Sequence, residues 1–159
     1  MMNFFMSIAI MVHLLAALVW VGGMFFSYWI LRPVLASQMI PPNELPPLWR
    51  QIYKRFFAYV WISLIILFIT GFWMMLYGLG GFGAVPISIH LMMTLAIIMA
   101  GIFVYIQFGP FQRMCHSIDI GDKQAAAAHM VKLRTVISIN MYLGLFVVLM
   151  AAGSRYLGI

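Results

Sequence analysis

His13 lies inside the apolar run MSIAIMVHLLAALVWVGGMFFS (residues 6–27) and is its only ionisable residue. At helical spacing it shares a face with Ala9, Ala16, Ala17, Trp20, Gly23 and Ser27, a small and partly polar stripe on an otherwise bulky segment. An imidazole in hydrocarbon costs free energy unless it is turned toward a partner, so this face marks a ligand or proton-carrying site, with a plain hydrogen bond across a helix interface as the alternative. His90 opens a later apolar run and is followed on its face by Thr94, Ile97, Gly101 and Tyr105. Two histidines from facing helices can supply both axial ligands of a haem iron, which makes haem b the cofactor this pair points to. Arg155 could hold the propionates, with Trp20, Trp73 and Tyr77 lining the pocket. Asn140 is a further polar group that mid-membrane placement leaves in need of a bond.

The same residues admit softer metal chemistry. The chain has 15 methionines, and thioethers favour Cu(I). Methionine is also a common apolar filler, and no Met-rich or His-rich run gathers copper. His116 and His129 fall in the polar stretch before the last apolar run and read as solvated loop histidines. The single cysteine, Cys115, excludes an internal disulfide and a cysteine-based zinc site. There is no phosphate-binding glycine loop, no acyl-transfer triad and no pair of carboxylates inside an apolar run. Hydrolysis and carboxylate-driven proton coupling are thereby disfavoured.

The elements that must position these residues are long apolar helices. Of 159 residues, 65% are hydrophobic and 8% charged, against roughly 25% charged in a soluble domain. Four runs, at roughly 4–31, 55–77, 87–110 and 133–157, reach the ~20 residues a bilayer crossing needs. The first lacks a basic leader and is too long for a signal peptide, so it is read as retained. Proline-rich SQMIPPNELPPLWRQ reads as a loop, GLGGFGAVP as a tight turn, and Asp122–Arg134 as an amphipathic lead into the last helix with Asp122 near its start. The expected fold is all-α, a single-domain (1–159) up-down four-helix bundle integral to the membrane.

Arg32, Arg50, Lys54, Arg55, Arg113, Lys123, Lys132 and Arg134 flank the two loops on one side; only Arg155 lies on the other. The +6 net charge is therefore a topological signal and does not point to nucleic acid. The positive-inside rule makes the loop side cytoplasmic and both termini external, periplasmic if the membrane is a bacterial inner (plasma) membrane. On this count His13 lies roughly 13 Å, and His90 roughly 6 Å, below the outer surface, close enough for both to reach one bound group.

His13-x6-Trp20-x-Gly22-Gly23-x-Phe25 with Arg32-Pro33 resembles the first helix of the small CopD-like membrane proteins, which are linked to copper resistance or uptake. Thr70-Gly71, His90 and Asn140-x3-Gly144 with Arg155 extend that resemblance over all four runs. The first-helix spacing is also similar to HemJ, a four-helix haem-binding family associated with protoporphyrinogen oxidation, and this implies haem b and a redox role. The chain carries Met92 and Met141 where HemJ-like proteins carry lysine and glutamate, which argues against that oxidation specifically. The sequence therefore leads to a haem b protein passing electrons to or from quinone or a redox partner protein, a haem-dependent oxidoreductase being the enzymatic form of that reading. His13 and His90 would be its iron ligands and Trp20, Gly23, Thr94, Asn140 and Arg155 its surround. A CopD-type copper-binding or transport protein is the alternative, and a non-catalytic assembly subunit, oligomeric or not, the further one.

Overall fold

The structure, a computed structural model, describes residues 2–37, 40–41, 44–78, 80–81, 83 and 85–157; the side chains of residues 2, 3 and 155–157 lie outside it. Its four helices are α1 (Phe4–Ser37), α2 (Leu45–Gly78), α3 (Ile87–Asp119) and α4 (Lys123–Ser154, continuing in the backbone to Leu157). Each is 32–34 residues long and apolar enough to cross a membrane. At 1.5 Å per residue each is roughly 50 Å long, well beyond the ~30 Å of hydrocarbon. The protein is an integral membrane four-helix bundle, and no strand occurs among the described residues.

The helices exceed the sequence expectation mainly at the basic end. Leu45-Pro46-Pro47, read as loop, is the first turn of α2: proline fits there because the first-turn N–H groups have no intrahelical partner to lose. At Gly109-Pro110 the chain continues helical through a wide π turn, Gln107–Phe111, and on to Asp119. The π geometry accommodates a proline that would clash in a regular α-helix. Gly121, at φ 76°, then reverses the chain, and the Asp122 carboxylate accepts the Ala125 N–H at 2.9 Å to start α4. Asp122 begins that helix as the sequence indicated, although the helix starts ten residues before the apolar run does. Further π turns lie at Leu18–Gly22, Phe26–Leu31 and Met74–Gly78.

The principal packing pairs are α1 with α2 and α3 with α4, while the middle of α1 also reaches α2 and α4. An aromatic ladder fills the basic half of the core. Trp49, Tyr53 and Phe57 stack at i, i+4, i+8 along α2 (centroids 4.9 and 5.5 Å apart), and Phe57 meets Phe103 and Phe111 of α3 edge-on. Arg50 of α2 bonds Asp119 of α3 at 2.6 Å, tying those helices at their basic ends.

Candidate metal centre

His13 faces α2. Its Nδ1 lies 2.7 Å from Thr70 Oγ1, and Thr70 in turn lies 2.6 Å from the Ile66 carbonyl oxygen one turn back. The short contact to the carbonyl assigns the hydroxyl hydrogen there, and the tautomer with it. The threonine has one hydroxyl hydrogen, which it donates to the carbonyl, so its oxygen accepts from Nδ1–H. Nε2 is then left with its lone pair, the arrangement in which a histidine binds a metal through one nitrogen while the other is held by a neighbour. The ring is seated on Gly71, where a Cβ would stand 3.4 Å from His13 Cε1. The Thr70-Gly71 pair thus orients the imidazole with one residue and makes room for it with the next.

Toward the charge-poor end of this seam the side chains become thioethers. Met75, one turn beyond Gly71, is buried. Met6, two turns from His13 on the same face, lies with its Sδ and Cε against Gly78. Imidazole, Met75 and Met6 therefore follow one another along α1 and α2. Among the described residues no group of three or more His, Cys, Asp or Glu side chains comes together. The soft groups along this seam are thioethers, the ligand type that favours Cu(I).

The other residues singled out by sequence are spread over α1, α3 and α4. Trp20 is buried in the core. Gly23 is a close approach, where a Cβ would overlap the Phe56 ring of α2. His90 is half-buried in the first turn of α3, and Thr94, exposed, donates to the His90 carbonyl at 2.9 Å. The structure gives His13 its hydrogen bond on α2, and α3 packs chiefly on α4. Asn140 is fully buried in α4, and neither its oxygen nor its nitrogen has a hydrogen-bond partner. Gly144, one turn on, abuts Val21 and Met99, whereas a Cβ on Gly101 would meet open space. The Arg155 side chain lies outside the described residues. His116 is exposed and His129 half-buried, both near the basic end.

The family model of copper resistance protein D, CopD, matches residues 50–154. This chain belongs to the CopD family. The match covers most of α2 and all of α3, and ends with α4 at Ser154, while α1 with His13 precedes it. No curated protein and no solved structure matches the chain. Within the CopD match lie Thr70, Gly71 and Met75, the α2 half of the seam that holds His13. Sequence reasoning allowed methionines near His13 but did not single out Met75 and Met6 as the ones further along its seam. Their signal was the i, i+7 spacing of Met6 and His13 on α1, together with Gly71, Met75 and Gly78 on one face of α2.

Proposed function

We propose that this CopD-family chain handles copper, taking Cu(I) as cargo at the α1–α2 seam through His13 Nε2, with the Met75 and Met6 thioethers as soft partners toward the charge-poor end. The observation that carries this reading is the His13–Thr70–Ile66 hydrogen-bond chain, which orients the imidazole on a seam where Met75 and Met6 lie further along. The CopD family supports copper over haem. With the basic loops in the cytoplasm, the thioether end opens on the external side of a bacterial inner membrane, and copper would pass from Met6 past Met75 to His13.

A Cu(I) titration of the purified protein against a competing chromogenic chelator, under reducing conditions, tests this. The wild type is expected to withdraw copper from the chelator, His13→Ala to lose that capacity, and the Met6→Leu/Met75→Leu double variant to weaken it. His13→Ala titrating like wild type would refute the assignment. An absorption spectrum of the same preparation reads the alternative: a Soret band lost in both His13→Ala and His90→Ala would return the site to haem b.

A further inference from the structure

At the basic end, positive charge enters the bundle without a counter-ion. Arg134 of α4 is half-buried, and its guanidinium lies over the Trp49 ring of α2 at 4.9 Å. The groups that act on it electrostatically are the Tyr53 hydroxyl and a second cation, Arg32 of α1. The Tyr53 hydroxyl also meets Ser27 of α1, and the Arg32 guanidinium rests on Tyr28 at 5.2 Å.

All three carboxylates of the chain are placed elsewhere: Asp119 on Arg50, Asp122 on the Ala125 N–H, and Glu44 exposed at the start of α2. Two buried donors here, Arg134 Nε and Trp49 Nε1, have no acceptor. The cluster thus holds two like charges and unused N–H groups on three helices. Like charges near low dielectric repel, and a buried donor left unmade costs free energy, so the cluster calls for an anion rich in lone pairs.

Its depth points to the chemistry of that anion. Arg134 stands eleven residues, or roughly 16 Å, inside the basic end of α4. That helix exceeds the hydrocarbon thickness by a similar length. With the excess at the basic end, Arg134 comes to the boundary between hydrocarbon and headgroups, with Trp49 and Tyr53 buried beside it inside the bundle. Basic pockets between membrane helices at this level hold lipid headgroups.

We propose that Arg32 and Arg134, with Tyr53 and Trp49, bind a phosphate-type oxyanion between α1, α2 and α4. This site is independent of the copper reading. An anionic phospholipid headgroup and free inorganic phosphate share the required chemistry, and the test separates them.

The full chain is reconstituted into nanodiscs of phosphatidylcholine alone, of phosphatidylcholine with phosphatidylglycerol, or of phosphatidylcholine with inorganic phosphate in the buffer, and Tm is measured. Retained phosphatidylglycerol is counted by native mass spectrometry. Wild type is expected to gain Tm with phosphatidylglycerol, whereas Arg134→Gln and Arg32→Gln lose that gain and bind the lipid about 10–100-fold more weakly. Arg55→Gln, an exposed cation on the same side, should keep the gain. An equal gain from inorganic phosphate, lost in the same two variants, assigns the site to the free anion and also upholds it. Arg32 is exposed, so Arg32→Gln keeps the test decisive if Arg134→Gln fails to fold. The proposal is overturned if wild type gains nothing from either source, or if both variants respond as wild type and Arg55→Gln do.

Discussion

Replacing Gly144 and Gly101 by alanine, separately, isolates the energy of close packing in this bundle. A Cβ on Gly144 would stand 2.8 Å from Val21 Cγ2, 2.9 Å from Met99 Cε and 3.2 Å from Val21 Cγ1. A methionine methyl can swing away, but Val21 is stiff at χ1 and sits in a buried π turn, so α1 and α4 must separate by a few tenths of an ångström. Nothing lies within 4 Å of a Cβ on Gly101. Both positions are mid-helix, so each gains the same glycine-to-alanine preference of up to ~1 kcal/mol. Subtracting one variant from the other cancels that gain and leaves the overpacking cost, about 1–3 kcal/mol. At roughly 2–4 °C per kcal/mol for a chain of this size, Gly144→Ala should melt several degrees below Gly101→Ala, which should itself match or exceed wild type. Thermal unfolding of the three proteins in one detergent measures this. Equal melting temperatures for the two variants would show that α4 does not approach α1 as closely as described.

Thr70→Val removes the acceptor for His13 Nδ1–H and should weaken Cu(I) binding about 10–100-fold in the same chelator competition, while Thr70→Ser should restore it. Asn140→Leu exchanges a buried amide with no hydrogen-bond partner for an apolar group of similar size. It should leave Tm unchanged or raise it, and a fall of several degrees would reveal a bridging water or ligand on the amide. A reporter inserted at Gly121, in the turn between α3 and α4, is expected on the cytoplasmic side, and external activity there would reverse the proposed direction of copper entry.

Composition and periodicity made the four spans readable, and the small face of α1 as well. Trp20 and Ser27 are buried as that face implies, and Gly23 is a point of close approach. What escaped reading depends on rules that act beyond periodicity. Proline ends a helix in most contexts but begins one at Pro46-Pro47, and a wide turn carries α3 through Pro110. Gly101 lies in step with His90 along α3, yet it is exposed because neighbouring helices determine which side of α3 faces inward. Arg134 looked like one more loop cation. Its aromatic seat depends on where α4 crosses α2, and no local pattern encodes that crossing.

The wide turns also govern where this chain can change length. A π turn holds one residue more than an α turn, so removing a residue from Phe26–Leu31 can return that stretch to regular helix while the residues on either side keep their facing. The same deletion in the regular helix before Gly144 would rotate one half of α4 against the other by about 100°. It would carry Gly144 away from Val21 and Met99. Gains and losses of single residues should therefore be tolerated at the wide turns of α1, α2 and α3, and not along α4, where no wide turn interrupts the described helix.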